Sequence, residues 1–237
     1  MCWPAGSKCP PSRFEDVSAT FDGDTHPTLA RISLSLTEHR IGIIGANGSG
    51  KSTLARLING LGEPTSGRVL VDGVDVARHG RDIRRRVGFV FSDAENQIVM
   101  PQVRDDVAFS LRRLKLARAE RDTRVDAALA RFGLEDLADN SPHTLSGGQK
   151  QLLALAAVLV IEPDLIIADE PTTLLDLRNR ARIAREFAAL DQQLIVVTHD
   201  LDILDGFDRV LCLDNGRIVA DGDPAEVCAH YRELMLT

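Results

Sequence analysis

The chain has 237 residues, 44% of them hydrophobic, which is enough to bury a full core and predicts one domain with a subdomain. Its 28 basic and 35 acidic residues give a net charge of −7, which argues against a broad nucleic-acid surface. The sequence holds no apolar run near the roughly 20 residues that a membrane-spanning helix needs, so we expect no span.

The N-terminal residues 1–12 are rich in proline and have no apolar stretch of the kind that a signal peptide requires. We therefore expect a disordered lead-in over 1–12 and one ordered domain over 13–237. None of the cysteines has the spacing of zinc ligands, so structural or incidental thiols in a reducing cytosol are expected. The cysteines are Cys2, Cys9, Cys212 and Cys228.

The first predicted elements are strands. Residues 14–21 predict a strand at the edge of a sheet, and residues 29–36, where apolar and polar side chains alternate, predict a half-buried strand. The apolar run 41–44 predicts a buried strand, and apolar residues at helical spacing over 54–61 predict a helix. The segment 45–53 therefore lies between a strand and a helix.

This segment reads GANGSGKST and fits the phosphate-loop pattern of Gly, four residues, Gly-Lys and then Ser or Thr. Its glycines allow the backbone N–H groups to close around a phosphate, and the following helix points its positive end at the same anion. Lys51 supplies a charge for the terminal phosphates, and the Ser52 hydroxyl is placed to bind Mg²⁺. A chance glycine-rich turn is the alternative, but the context favours a nucleoside triphosphate site. The predicted nucleotide-binding residues are Gly45, Asn47, Gly48, Ser49, Gly50, Lys51, Ser52 and Thr53.

In the middle of the chain the predicted secondary structure changes from strands to helices. Strands are predicted at 69–73 and 87–91, and we interpret the basic run 84–86 as a solvated helix end rather than a binding patch. Between residues 92 and 144 apolar residues recur at the spacing of two helices, without a strand pattern. We therefore expect a helical subdomain over 92–144.

The remaining residues, 13–91 and 145–237, are expected to form the nucleotide-binding core. Buried strands are predicted at 165–168 and 194–197, and the Asp-Asn-Gly sequence at 214–216 predicts a hairpin turn.

Two carboxylates, Asp169 and Glu170, end the buried strand at 165–168. Carboxylates at a strand end need water or a cation. Beside a phosphate loop, Asp169 is predicted to hold Mg²⁺ through its water shell, and Glu170 to polarise the attacking water. The alternative is a strand that runs out into an acidic loop.

A second glycine-rich stretch opens an amphipathic helix and predicts another anion-binding helix N-terminus. A helix cap without a ligand is the alternative. A second phosphate site, far from the first in sequence, suggests that each chain completes its neighbour's site. His199 follows the strand 194–197 at the end where α/β proteins place ligands, although a structural histidine is the alternative. The glycine-rich stretch contains Ser146, Gly147, Gly148 and Gln149.

The phosphate loop, the signature and the strand that ends in two carboxylates follow one another along the chain. With this order of motifs, residues 14–221 resemble the nucleotide-binding subunits of the ATP-binding cassette family. The resemblance implies an α/β fold with a P-loop NTPase core of the cassette type, an antiparallel β subdomain and an inserted α-helical subdomain. It implies ATP and Mg²⁺ as cofactors and a head-to-tail dimer with a second copy or a paralogous ATPase. In that dimer each signature, 146–149, acts on the partner's ATP, and catalysis rests on Lys51, Glu170 and His199.

Three further roles follow from the resemblance. Phe21 matches the aromatic residue that stacks on adenine, Asp176 matches the D-loop aspartate, and His199 matches the histidine that contacts the γ-phosphate. Two positions depart from the family pattern. Ser92 stands where the Q-loop glutamine is expected, and the D-loop segment 173–174 lacks the usual small residue and glycine.

Residues 92–101 and 105–109 resemble more narrowly the energy-coupling-factor group, which imports vitamins and metal ions. Residues 145–157 and 172–179 look most like the biotin-transporter ATPases of that group. The chain also ends soon after Asp221, where cobalt and nickel ATPases of the group generally carry an extra portion. This resemblance implies a transmembrane coupling subunit and a substrate-binding membrane subunit as partners, no nucleic acid, and a peripheral position on the cytoplasmic face of the inner membrane.

Other functions stay open at this point. One is the ATPase of a cobalt, nickel or other vitamin importer. Another is a soluble cassette ATPase of DNA repair or translation, but a repair ATPase would carry a long coiled coil between residues 53 and 165, and a translation factor would carry two cassettes. A regulator without turnover would lack Glu170.

Overall fold

The computed structural model describes residues 9–20, 26–173 and 175–236. Its strands form one sheet of four strands and one of six. The strands are β1 (Ser12–Ala19), β2 (Leu29–Leu36), β3 (Arg40–Gly45), β4 (Ser66–Val71), β5 (Val74–Asp75), β6 (Val87–Val90), β7 (Leu165–Asp169), β8 (Gln193–Val197), β9 (Arg209–Asp214) and β10 (Arg217–Gly222). The helices are α1 (Lys51–Asn59), α2 (Val76–Ile83), α3 (Val103–Ser110), α4 (Arg118–Arg131), α5 (Gly147–Leu159), α6 (Leu177–Ala188) and α7 (Pro224–Leu236).

The six-stranded sheet has the order β10-β9-β3-β8-β7-β6. Its strands run parallel except for β10, which pairs antiparallel with β9. All residues of β3, β7 and β8 are buried, because the sheet is covered on both faces. The register sets Ile43 and Asp169 both opposite Val197, so the carboxyl ends of these three strands lie level. Ligand sites in α/β proteins form at such an edge.

Side chains alternate between two hydrophobic clusters on the faces of this sheet. In β3, Ile41 and Ile43 pack with α1 and the four-stranded sheet, whereas Ile44 packs with the helical side. In β7, Leu165 and Ile167 face the first cluster and Ile166 the second. This period of two explains why continuous apolar runs, buried on both faces, predicted the strands correctly.

The four-stranded sheet corrects one prediction. Its order is β2-β1-β4-β5, so β1 is an inner strand and not the predicted edge strand. It pairs with β2 on one side and with β4, from beyond α1, on the other. The strand also begins earlier than predicted, at Ser12, which is fully buried at the end of the expected lead-in. Phe21, predicted to contact adenine, lies outside the described residues.

Residues 92–144, all of them described, contain α3, α4 and short 3-10 turns but no strand. Val107 of α3 and Leu129 of α4 are buried with Leu152 of α5 in one cluster. That cluster also contains buried residues of β7 and β8, so the segment 92–144 and the residues after it pack in one hydrophobic cluster. The exact division into a core and a subdomain stays a prediction. Among the residues that the structure describes, every helix is too short or too polar to cross a bilayer.

Candidate functional site

The phosphate loop connects the carboxyl end of β3 to the first turn of α1. Gly45 and Gly50 adopt φ angles of 147° and 102°. A Cβ atom at Gly45 would lie 2.1 Å from the Leu213 carbonyl oxygen, and one at Gly50 would lie 2.6 Å from the Thr28 carbonyl oxygen. Both positions therefore require glycine for backbone angle and for space. The neighbouring strand and loop fix the shape of the phosphate loop.

The start of α1 has features that suit an anion. Its N-cap, Gly50, provides no side-chain hydrogen bond, so first-turn N–H groups face outward without a capping acceptor. The Ser49 hydroxyl is buried and has no hydrogen-bond partner among the described residues. Unpaired donors at a helix N-terminus bind phosphate well. These observations fit the triphosphate of ATP.

Lys51 is buried within the loop. Its Nζ donates hydrogen bonds to the carbonyl oxygens of Gly45 at 2.8 Å and Ala46 at 3.0 Å. Burial lowers the pKa of Lys51, and the carboxylates of Glu170 and Asp169 act in the opposite direction. The loop and both carboxylates thus set the electrostatic environment of this ammonium group.

Ser52 and Asp169 meet at the ends of α1 and β7. The Ser52 hydroxyl donates to Asp169 Oδ1 at 2.8 Å, and the carboxylate is 2% exposed. Burial raises the pKa of Asp169, opposed by the Ser52 hydrogen bond, by Arg56 at 3.9 Å and by Lys51. The structure therefore brings together a hydroxyl and a carboxylate oxygen, which are ligand types that Mg²⁺ uses.

These two groups do not form a complete metal site. Within the described ranges, the structure contains no group of three or more His, Cys, Asp or Glu side chains that could hold a metal ion. Mg²⁺ in nucleotide sites characteristically takes one or two protein ligands and completes its shell with phosphate oxygens and water. The pair of Ser52 and Asp169 fits that kind of site.

Glu170 and His199 form the second pair at this edge. Glu170 has a φ of 52°, and its N–H donates to the Val197 carbonyl at 2.8 Å. Its Oε2 lies 2.8 Å from His199 Nδ1 and also accepts a hydrogen bond from the His199 backbone at 3.4 Å. The end of β7 is thus tied to the residues that follow β8. The structure places the two predicted catalytic residues in direct contact.

The signature residues lie at the start of α5. Ser146 and Gln149 form a reciprocal capping box, in which Gln149 N donates to Ser146 Oγ at 3.3 Å and Ser146 N donates to Gln149 Oε1 at 2.8 Å. Gly148 is buried against Asn179, since a Cβ there would lie 2.4 Å from the Asn179 side chain, whereas Gly147 is exposed with open space around it. These hydrogen bonds stay within the motif, and none of those described reaches the phosphate loop of the same chain.

Asp176 caps α6 by accepting a hydrogen bond from Asn179 N at 2.8 Å. One turn further on, Arg180 was missed by the sequence analysis. Its Nε donates to the Leu175 carbonyl at 3.0 Å, and its Nη1 lies 3.4 Å from Asp200 Oδ2. The same Asp200 oxygen accepts from Thr172 Oγ1 at 3.3 Å. Because Asp200 follows His199, this network joins the D-loop to the histidine.

Ser92 is exposed and follows β6 closely, after the end of the strand. Gln97, five positions further on, does not replace the missing glutamine. Its Oε1 accepts from Phe91 N at 3.1 Å, and its Nε2 donates to the Ala154 carbonyl at 3.4 Å. The Gln97 amide therefore holds the end of β6 against α5.

A groove of about 490 Å³ lies beside this loop. Asp106 of α3, which the sequence analysis did not single out as a site residue, supports its wall. The Asp106 carboxylate is buried and accepts hydrogen bonds from Val99 N at 2.8 Å and Met100 N at 3.0 Å. Burial raises its pKa, and these two hydrogen bonds act against that rise. The groove is lined by Glu95, Ile98, Val99, Met100, Pro101, Pro142, His143 and Lys150.

Comparison with known proteins identifies the family. Residues 29–173, more than half of the chain, match the family model described as ABC transporter. The chain belongs to the ABC transporter family.

Relatives of this ATP-binding cassette chain are similar over most of their length. A putative ABC transporter ATP-binding protein of Deinococcus radiodurans is 52% identical, covering 90% of this chain and 94% of the relative. The biotin transport ATP-binding protein BioM of Rhizobium etli is 49% identical, covering 94% and 98%. The energy-coupling factor transporter ATP-binding protein EcfA1 of Halalkalibacterium halodurans is 39% identical, covering 90% and 79%.

Two solved structures show the same fold. CbiO1 from Clostridium perfringens, described as part of the ABC transporter complex cbiONQ, aligns with a TM-score of 0.81 and 35% identity, covering 95% of this chain and 94% of that one. The ATP-binding cassette MJ0796, solved as a dimer in a post-hydrolysis state with ADP and Pi, aligns with a TM-score of 0.81 and 29% identity, covering 90% and 98%.

These similarities confirm the predicted cassette fold and the resemblance to the energy-coupling-factor group, including its biotin-transporter ATPases. The chain is an ATP-binding ABC ATPase whose hydrolysis is coupled to transport.

Proposed function

We propose that this chain is the ATPase subunit of an energy-coupling-factor importer for biotin. The observation that carries the catalytic part is the level edge of β3, β7 and β8, which places the phosphate loop, the Ser52–Asp169 pair and the Glu170–His199 pair side by side. The biotin assignment is supported by relatives named for biotin transport that cover nearly the whole chain.

ATP is proposed to lie with its phosphates on the loop 45–53. The outward N–H groups of α1 and the Lys51 ammonium bind the β- and γ-phosphates. Ser52 and Asp169 would hold Mg²⁺, which neutralises charge on the phosphate oxygens when it is bound. Asn47, Gly48 and Thr53 complete the predicted nucleotide contacts, and Phe21 is proposed to stack on adenine.

Glu170 is proposed to be the general base that orients and deprotonates the attacking water. With protons on both ring nitrogens, His199 would donate from Nδ1 to Glu170 and from Nε2 to a γ-phosphate oxygen. The 2.8 Å contact holds the imidazole in one orientation. A water between Glu170 and the γ-phosphorus is then positioned for in-line attack.

A second copy of this chain, or a paralogous ATPase, is proposed to complete the site. The signature 146–149 presents an exposed helix N-terminus that no described hydrogen bond ties to the phosphate loop of the same chain. Leu177, next to Asp176, is 82% exposed, which favours an interface at the D-loop. In a head-to-tail dimer, each signature helix would point at the partner's γ-phosphate.

Membrane subunits are proposed as the remaining partners. Val99, which is 63% exposed, and Met100 form an apolar wall of the groove described above, and a helix of a coupling subunit would fit such a groove. A separate membrane subunit would bind the substrate, and this ATPase would lie on the cytoplasmic face of the cell membrane. ATP binding closes the dimer and hydrolysis reopens it, which drives the membrane subunits.

Uptake of radiolabelled biotin tests the proposal. The chain is co-expressed with candidate membrane subunits, in cells that lack their own biotin importer. We expect uptake that requires this chain and that is lost in Lys51→Ala. Uptake of labelled cobalt, nickel or another vitamin, with no biotin uptake, would reject the substrate assignment and leave the ATPase assignment in place.

A further inference from the structure

Two pairs of arginines that are distant in sequence border one cavity of about 520 Å³. Arg84 and Arg85 follow α2, and Arg112 and Arg113 follow α3. The first pair directly follows the end of α2 at Ile83, as expected of a helix end. The fold adds the second pair beside it. We call this site the arginine pocket, and it is lined by Arg84, Arg85, Phe109, Ser110, Arg112, Arg113, Leu114 and Ile161.

The charges of the pocket are poorly compensated. Its lining contains no carboxylate. Arg85 lies 3.3 Å from Asp82, Arg84 donates to the Gly60 carbonyl at 2.8 Å, and no ion pair is described for Arg112 or Arg113. A chain with a net charge of −7 thus concentrates four guanidinium groups at one place.

The next arginine in the run shows the contrast. Arg86 forms ion pairs with Asp164 and, at 3.8 Å, with Asp72. It therefore belongs to the internal structure at the start of β6, whereas its two neighbours line the cavity. Because Arg86 is compensated by two carboxylates, the weak compensation of charge at the pocket is a local feature and not a general property of this region.

The pocket also exposes apolar surface. Phe109 is 40% exposed and Leu114 is 39% exposed, and the Arg112 guanidinium lies 5.2 Å from the centre of the Phe109 ring. A free inorganic phosphate would use the arginines but not this apolar surface. A phospholipid headgroup joins an anionic phosphate to apolar chains and matches both parts.

The pocket lies close to the groove that is proposed to dock the membrane subunit. Helix α3 begins two residues after Pro101, which lines the groove proposed to dock the membrane subunit, and ends at Ser110 in the pocket. An eight-residue helix is about 12 Å long, so groove and pocket are close neighbours. We propose that the arginine pocket binds the phosphate headgroup of an acidic phospholipid beside the membrane subunits. The orientation rests on the proposed docking groove, but the binding itself does not require it.

Vesicle sedimentation with the full chain tests this site. The chain is mixed with vesicles of phosphatidylcholine alone and with vesicles that also contain phosphatidylglycerol. We expect binding to the anionic vesicles only, weakened about tenfold or more in R112E/R113E, since each basic residue near an anionic surface contributes measurably. The change F109A/L114A should weaken binding less and leave its salt dependence intact.

The matched control is R31E/R217E, which changes the charge by the same amount. Arg31 and Arg217 border another surface cavity, and Arg217 lies in β10, at the opposite edge of the sheet from β6. We expect this variant to bind anionic vesicles like the unchanged chain, and both R112E/R113E and R31E/R217E to keep the basal ATPase rate. That rate also separates a failure here from a failure of the proposed ATPase site.

Three results would overturn the proposal. The first is equal binding to neutral and anionic vesicles. The second is equal weakening by R112E/R113E and R31E/R217E, which would indicate a general charge effect. The third is stabilisation by inorganic phosphate or glycerol phosphate that R112E/R113E removes, with no vesicle binding, which would assign the pocket to a soluble anion.

Discussion

Glu170 reaches His199 because of an unusual backbone angle. Its φ of 52° belongs to the left-handed region, which costs a non-glycine residue about 1–2 kcal/mol. The hydrogen bond from Glu170 N to the Val197 carbonyl holds this conformation. The side chain consequently leaves the direction of β7 and meets the histidine that follows β8. Such local strain is tolerated where surrounding contacts fix the residue, and it is frequent at active sites.

Arg180 is a positioning residue in our interpretation, since it contacts Leu175 and Asp200 but no predicted nucleotide-binding residue. Arg180→Ala should lower kcat about three- to tenfold and leave the KM for ATP nearly unchanged. The loss of two hydrogen bonds should cost about 1–2 kcal/mol of stability. Steady-state ATPase assays and urea unfolding measure the two effects.

Arg185→Ala is the matched control for this change. Arg185 lies on the same helix, is exposed, and donates to the Ala181 carbonyl of its own helix. It should keep both kcat and stability. A fall in kcat equal to that of Arg180→Ala would mean that α6 as a whole, and not the link from D-loop to histidine, is sensitive.

Ser92 is expected to weaken the connection between ATP chemistry and the membrane subunit. Glutamine is longer than serine by two bonds, roughly 2–3 Å of reach, so a direct contact becomes a water-mediated one. Because Gln97 is held by Phe91 and Ala154, it does not supply the missing amide. Ser92→Gln should raise ATPase activity in the reconstituted complex or increase its dependence on the membrane subunits.

Ser92→Ala removes one hydroxyl and should cost at most about 0.5–1.5 kcal/mol. ATPase and transport assays on reconstituted complexes compare the two variants. If Ser92→Ala were as inactive as Glu170→Gln, Ser92 would be a primary catalytic group, and our interpretation of this position would be wrong.

Sequence reasoning located the residues that act through short local patterns. The phosphate loop, Asp169 and Glu170, and the signature each lie within one turn or one strand end, so spacing alone reveals them. Asp106 was missed because its hydrogen bonds to Val99 and Met100 depend on how the preceding loop folds back onto α3, and Arg180 because its partner Asp200 is distant in sequence. The partners of Arg180, at Leu175 and Asp200, lie in the loops after β7 and β8, and only the fold shows that these loops meet.

Whole elements show the same difference between local features, which the sequence predicts, and contacts between distant segments, which it does not. The hairpin between β9 and β10 was predictable, because Asn215 and Gly216 both adopt positive φ, 46° and 74°, as its tight turn requires. The inner position of β1 was not predictable. Its second neighbour, β4, follows α1, and nothing within 12–19 indicates which strands will pair with it.

Asp106 connects α3 to the wall of the groove. Asp106→Ala would leave the part-buried N–H groups of Val99 and Met100 without their acceptor and should cost about 1–3 kcal/mol. We expect co-purification with the membrane subunits to fall and ATP binding to remain. Asp106→Asn keeps an acceptor oxygen and should lose less of both stability and docking.

Because the pKa of Asp106 is raised, the stability difference between the unchanged chain and its variants should depend on pH. The folded state binds the proton more tightly than the unfolded chain, so the contribution of Asp106 to stability is largest below its ordinary pKa of 3.8 and falls as pH rises through the raised pKa. The variant Asp106→Asn lacks this loss. Its stability relative to the unchanged chain should therefore improve with rising pH in urea titrations between about pH 4 and pH 7.

Val99→Asp with Met100→Asp tests the groove itself. It places charges on the apolar wall without removing the Asp106 hydrogen bonds, which come from the backbone. Loss of co-purification in both this variant and Asp106→Ala would assign docking to the groove. Unchanged co-purification in the double variant would reject the placement of the membrane subunit there.

On the scale of the whole molecule, the candidate nucleotide site and the two proposed membrane-facing sites lie on different secondary-structure elements. The carboxyl ends of β3, β7 and β8 form the nucleotide edge, whereas the groove and the arginine pocket lie at the two ends of α3. The residues of α3 and of β7 share one hydrophobic cluster. We therefore propose that this cluster couples membrane docking at α3 to hydrolysis at Asp169 and Glu170.

The head-to-tail dimer is the whole-molecule prediction, and Glu170→Gln isolates it. The amide cannot take a proton from water, so turnover should fall about 100-fold or more, while the phosphate loop still binds ATP. Since hydrolysis is proposed to reopen the dimer, the variant should accumulate as a closed dimer with ATP and Mg²⁺, measured by gel filtration. Lys51→Ala, which weakens ATP binding, should stay monomeric under the same conditions. A Glu170→Gln chain that binds a fluorescent ATP analogue yet elutes as a monomer would contradict a nucleotide site shared between two chains.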